Sequence, residues 1–215
     1  MPVVERQGRS IHHSRDGDGP GILLIPGLGS GARLFGTLPR RFMRSGFTCA
    51  AIDPVGLEPS SPLPGGIFDF TQAAHDVLAV AATLPQPVTL VGTSLDGKHL
   101  GELTAPFLFG ETFLNQKAGV VDDIIRSTKP SAETRAFMQT QARALQTFDG
   151  QALCPKVDVP TLCLAGAEDT LTLPHEVTAT AALIPNAQHH CFEGAGHSLL
   201  LESAQAFDHV TKFAK

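Results

Sequence analysis

The 215-residue chain carries 16 Lys and Arg against 21 Asp and Glu, a formal charge of −5 without long runs of one sign. That balance argues against a nucleic-acid or membrane-surface partner, and the length suits one well-buried core better than two. Hydrophobic content of 42% is that of a soluble globular protein, and no apolar run approaches the roughly 20 residues of a membrane span. The first ten residues lack the charged-then-apolar order of a signal peptide, so the cytoplasm is the expected location. Cys49, Cys154, Cys163 and Cys191 lie far apart and read as small buried hydrophobes, not as a disulfide framework or zinc site.

Residues 3–9 and 10–15 are two short segments able to pair as an edge hairpin across Gly8. A turn over 16–21 leads into the continuous apolar run 22–25, expected of a strand buried on both faces. It ends in Pro26-Gly27-Leu28-Gly29-Ser30-Gly31, a loop whose glycines allow close backbone approach. A helix is predicted over 32–44 and a second buried strand over 47–52. From Phe70 the residues Ala73, Ala74, Val77, Leu78 and Ala81 recur at helical spacing. Residues 88–91 are the next strand, followed by a helix over 98–105. Alternation of strand and helix at these lengths implies a mostly parallel sheet with helices on both faces.

Residues 106–109 form a short apolar segment that reads as a further strand. The stretch 112–156 is helical and loop-like. Pro130-Ser131 resembles a helix start, and Met138, Ala142 and Leu145 recur on one side. Strands return at 161–165 and 188–192, with a helix near 174–183 between them. Leu200, Ala204, Phe207, Val210 and Ala214 mark the buried stripe of the last helix.

Gly92-Thr93-Ser94-Leu95-Asp96 is nearly Gly-x-Ser-x-Gly, with Asp96 at the last glycine position. A serine between a parallel strand and the next helix sits on a sharp turn, its hydroxyl exposed and backbone amides nearby, as a nucleophile requires. The same residue also suits a helix N-cap. Asp169 and His197 follow the strands at 161–165 and 188–192. Loops beyond the carboxyl ends of parallel strands face one crevice, where the three side chains can meet. Imidazole suits proton abstraction from serine at neutral pH, and a carboxylate fixes its tautomer. Asp169 as a helix cap and His197 as a loop histidine bonded to backbone are the structural alternatives. Glu111, after the apolar segment at 106–109, is an alternative acid. The adjacent pairs His12-His13 and His189-His190 point to opposite faces of a strand and chelate poorly, so no metal is expected. Gly27-x-Gly29-x-Gly31 lacks the spacing of a nucleotide-binding loop, so no cofactor is expected.

Five blocks carry a resemblance. They are Leu24-Ile25-Pro26-Gly27-Leu28-Gly29-Ser30, Ala51-Ile52-Asp53-Pro54-Val55-Gly56, Leu90-Val91-Gly92-Thr93-Ser94-Leu95, Ala165-Gly166-Ala167-Glu168-Asp169 and Gly194-Ala195-Gly196-His197-Ser198. Through them the chain resembles the α/β-hydrolase superfamily, especially its small lid-bearing esterase and lactonase-like members. The resemblance implies a single domain over 1–215 with a lid-like insertion at about 112–156. It implies hydrolysis of a small-molecule carboxylic ester or lactone through an acyl-serine. Ser94 would attack, His197 would move the proton, and Asp169 would orient His197. The backbone amides of Leu28 and Leu95 would form the oxyanion hole, one in a glycine-rich loop and the other at a helix N-terminus. Three departures stand out: Pro26 where many members have histidine, Val55-Gly56-Leu57-Glu58 for the usual Pro-Gly-x-Gly turn, and Asp96 for a small residue. Asp96 also favours the rival reading of an impaired or non-enzymatic member, whether ligand-binding protein, scaffold or engineered variant. Sequence does not separate ester hydrolysis from C–C hydrolysis or perhydrolysis on the same three residues.

Overall fold

In the computed structural model, which describes residues 1–94, 105–126 and 131–215, most of the apolar runs become strands and the periodic stretches helices. The described residues form two compact units. One comprises those of 1–96, 130–147 and 214–215, the other those of 97–129 and 148–213.

In the first unit β1 (Val3–Arg6) and β2 (Arg9–Asp16) form an antiparallel hairpin. Its two-residue turn, Gln7 and Gly8, has positive φ at both positions (52° and 72°), matching the twist of the flanking strands. β3 (Gly21–Ile25), β4 (Thr48–Ile52) and β5 (Val88–Gly92) complete a five-stranded sheet of order β1-β2-β4-β3-β5. β4 pairs antiparallel with β2, whereas β3 runs parallel to both β4 and β5. All of β4 and residues 21–24 of β3 are buried, as their unbroken apolar composition requires.

The helix predicted over 32–44 is two pieces: a 3-10 turn (Ala32–Phe35) and α1 (Leu38–Arg44). Gly36, at φ 51°, takes the left-handed conformation that separates them. α2 (Phe70–Ala81) starts where the Asp69 carboxylate accepts the Gln72 N–H at 3.0 Å. Its inner face matches the expected stripe in part: Ala81 is buried and Val77 packs on the core, but Leu78 is 56% exposed, and Asp76 and Val80 are buried. Asp76 faces inward, where it meets Arg6 at 2.7 Å and Arg9 at 3.1 Å, while Val80 and Ala81 join the apolar core.

α5 (Ala132–Leu145) is capped by Ser131, whose hydroxyl accepts the Thr134 N–H. Of the expected stripe Met138 is half-buried, Ala142 and Leu145 are exposed, and Phe137 and Gln141 are buried instead. Phe137 sets that face by packing edge-on against Phe68, with ring centres 5.9 Å apart. It also fills the space beside Gly56, where any Cβ would collide with its ring.

The second unit contains β6 (Leu162–Gly166) and β7 (Gln188–Phe192), a parallel pair. Its helices are α3 (Ala105–Leu108), α4 (Glu111–Arg126), α6 (Pro174–Leu183), α7 (Leu199–Glu202) and α8 (Ala204–Phe213), with a 3-10 segment at Gln151–Lys156. Residues 106–108 are therefore helical, Phe109 follows the helix end, and the expected strand is absent there. One helical turn puts Ala105, Leu108 and Phe109 on a single face, where they pack with Val121 of α4. The buried stripe of α8 runs through Ala206, Phe207, Val210 and Thr211. Cys49 and Cys154 are buried and Cys163 is half-buried, but Cys191 is exposed, since it points opposite to buried Phe192 on β7. Burial pushes the Cys49 thiol up to about 12. Within 112–156, α5 belongs to the first unit and the other described residues mostly to the second. Among the described residues no helix is long and apolar enough to cross a membrane.

Candidate active site

Parallel pairing brings Leu28 and Ser94 to one end of the first sheet. Ile25 and Gly92, the last residues of β3 and β5, are partners in the ladder, and the Thr93 N–H extends it to the Ile25 carbonyl at 3.1 Å. Ser94 follows, exposed. The Leu28 loop is held from within and from outside. Ser30 donates its N–H to the Gly27 carbonyl at 3.2 Å, and its hydroxyl donates to the Leu28 carbonyl at 3.3 Å. The Gly29 N–H, at a residue with φ 67°, donates to Gln141 Oε1 of α5 at 2.7 Å. The Ala32 N–H donates to Asp53 Oδ1 at 2.7 Å. Asp53 lies just past β4, is buried, and leaves no room for a side chain at Gly31. Leu95 and Asp96 lie outside the described residues, as does most of the helix expected over 98–105.

The second unit repeats this logic. Gly166 and Phe192, the last residues of β6 and β7, are ladder partners, so the loops carrying Asp169 and His197 leave from one strand end. His197 Nδ1 lies 2.8 Å from Asp169 Oδ2, with the two side chains 4% and 8% exposed. The other oxygen, Oδ1, accepts the N–H groups of Leu171 at 2.9 Å and Thr172 at 3.0 Å. A carboxylate only accepts, so the proton in this bond sits on Nδ1, and in the neutral ring the lone pair then belongs to Nε2. Glu111, the alternative acid, opens α4 and is exposed.

Supporting residues absent from the sequence reading surround this pair. Glu202 Oε2 accepts the N–H groups of Gly110 (2.8 Å) and Gly196 (2.9 Å), the latter adjacent to His197. Its Oε1 is buried without a partner among the described residues, and burial raises the carboxyl above its ordinary range. Glu168, adjacent to Asp169, accepts the Thr112 hydroxyl at 2.6 Å and the Thr112 N–H at 2.9 Å. The Thr112 hydroxyl chiefly holds the Glu168 carboxyl below the usual range. The Ser198 N–H donates to the Leu108 carbonyl at 2.8 Å. Two carboxylates and one amide thus tie residues 108–112 to both loops. The signal for Glu202 was a lone charge ending the apolar run 199–201; Gln141 left none.

No protein-family model matches the chain. A segment of 65 residues is 38% identical to polyketide synthase ThaQ of Burkholderia thailandensis, covering 30% of this chain and 3% of that protein's length. Solved structures match far more of it. The enol-lactonase of Burkholderia xenovorans LB400 superposes with a TM-score of 0.79 at 19% identity, covering 99% of each chain. An α/β-hydrolase enzyme, MGS-M2, from a Medee basin deep-sea metagenome gives 0.78 at 15% identity, over 99% of this chain and 96% of its own. The fold is therefore that of the α/β-hydrolases.

Proposed function

On that fold, we propose that the chain is a serine hydrolase that cleaves a small-molecule carboxylic ester or lactone, with Ser94 as nucleophile and Asp169 and His197 as its base system. The observation that carries the reading is the 2.8 Å bond from His197 Nδ1 to Asp169 Oδ2, at a strand end in an α/β-hydrolase fold. The enol-lactonase is named for a cyclic ester, which agrees with the substrate class.

In the proposed reaction Ser94 Oγ attacks the carbonyl carbon while His197 Nε2 takes the hydroxyl proton. Asp169 stabilises the imidazolium and holds its orientation. The Leu28 and Leu95 amides donate to the developing oxyanion, each worth about 10²–10³ in rate. Collapse of the tetrahedral intermediate breaks the C–O bond to the leaving alkoxide, which receives the proton from His197. Water then attacks the acyl-serine, His197 takes its proton, and the carboxylic acid leaves as Ser94 is reprotonated. For a lactone the alcohol stays attached to the acyl group. Residues 112–156 are proposed to cover the site, and the cytoplasm is the proposed location.

Asp96 favours a second reading, an α/β-hydrolase fold without this activity. A panel of chromogenic esters and lactones separates the two. Turnover lost by about 10³-fold or more in both Ser94→Ala and His197→Ala, with the double variant little worse than either, supports the proposal. Inertness of the folded wild type towards the whole panel supports the second reading.

A further inference from the structure

The Leu28 loop contains two consecutive peptide planes whose orientations are each pinned. In the first, the Gly27 carbonyl accepts from the Ser30 N–H at 3.2 Å. Because a trans peptide sets N–H opposite to C=O, that bond also fixes the direction of the Leu28 N–H. In the second, the Leu28 carbonyl accepts from the Ser30 hydroxyl at 3.3 Å, and the Gly29 N–H donates to Gln141 Oε1 at 2.7 Å. Rotating this second plane requires losing both bonds. Rotating it also disturbs the first, since the two share the Leu28 Cα.

Five of these six groups come from the loop itself. Gln141 comes from α5, 112 residues away in sequence. It is buried, as is its neighbour one helical turn back, Phe137, which seats α5 against Phe68 and beside Gly56. Residues four apart share a helix face, so the same face that docks the helix also supplies the acceptor.

We propose that Gln141 is a positioning residue for the Leu28 loop, so that the Leu28 amide is correctly aimed only while α5 is seated. The proposal rests on the assignment of Leu28 to the oxyanion hole. It makes α5 a conformational input to catalysis: substrate or product that displaces the helix also withdraws the acceptor from Gly29. Gln141 acts through the loop and touches no reacting atom.

Gln141→Met tests this, because Met matches Gln in length and lacks a strong acceptor. In the wild type the Gly29 amide should exchange with deuterium slowly. In the variant it should exchange roughly tenfold faster or more, with a shifted Leu28 amide resonance. The kcat for ester hydrolysis should fall roughly tenfold or more while KM stays within about threefold, the signature of an interaction made in the transition state. A wild-type Gly29 amide that exchanges like an exposed loop overturns the proposal without any variant. So does a folded variant with unchanged Gly29 exchange, or one whose kcat is unchanged in an enzyme that labels at Ser94. A folded wild type that never labels at Ser94 overturns the hydrolase reading instead, and Gly29 exchange still decides whether Gln141 holds the loop.

Discussion

Asp169 uses both carboxylate oxygens, one on His197 Nδ1 and the other on the Leu171 and Thr172 N–H groups. The loop amides lock the carboxylate, and the carboxylate in turn locks the ring. Asp169→Asn preserves much of the shape but can present an N–H₂ to Nδ1, which favours the wrong imidazole tautomer. A loss in kcat on the order of 10⁴ is expected, with an unchanged far-ultraviolet circular dichroism spectrum; a loss under tenfold would remove Asp169 from this role. The carboxylate of Asp96, two residues after the proposed nucleophile, would place negative charge close to amides proposed for an oxyanion. Asp96→Gly is expected to raise kcat about tenfold with KM nearly fixed. An unchanged kcat would mean that the carboxylate points away.

Between elements, the joint of residues 108–112 with the Asp169 and His197 loops depends on glycine contacts and two carboxylates. A Cβ at Gly196 would collide with the Gly110 backbone, which cannot yield as a flexible side chain does. Gly196→Ala should destabilise by about 1–3 kcal/mol, the usual cost of overpacking, and should lower kcat more than the equivalent change at Gly119, which has open space. Thermal melts and turnover of the two variants decide it. Glu202 gives the joint a pH dependence. Its carboxyl is raised, chiefly by burial, so the folded state holds the proton more tightly than the unfolded chain. Its contribution to stability is therefore full below the ordinary value of 4.5 and is lost as pH rises through the raised value. Glu168 has the opposite sign: held low, chiefly by the Thr112 hydroxyl, it contributes above 4.5 and loses that contribution as pH falls through its lowered value. Glu202→Gln should consequently gain on the wild type as pH rises from about 4 to 7. A constant difference in melting temperature across that range would contradict the assignment.

At the scale of the molecule, what the sequence made legible is what local pattern determines. Ile22 to Ile25, Thr48 to Ile52 and Val88 to Gly92 are apolar runs bounded by turn residues, and each is a strand within a residue of its expected limits. Asp169 and His197 were legible as a pair because each follows such a run, and a parallel ladder brings those ends together. Residues 106–109 misled because an apolar run of four has no period to read; burial of Leu108 and Phe109 against Val121 selected helix. The faces of α2 and α5 were misjudged for a different reason. Asp76 and Gln141 are polar residues on buried faces, stabilised by Arg6, Arg9 and Gly29 from distant segments. No window along the chain contains those partners. Glu202 escaped for the same reason, its two backbone donors being 92 and 6 residues away.

Everything proposed for the site depends on Ser94 being a nucleophile activated by the Asp169–His197 pair. The most direct measurement is intact-protein and peptide mass spectrometry after incubation with a fluorophosphonate. A single adduct is expected, on the peptide containing Ser94, formed much more slowly in His197→Ala and absent in Ser94→Ala. A folded wild-type protein that forms no adduct, or one labelled at a different residue, would contradict it.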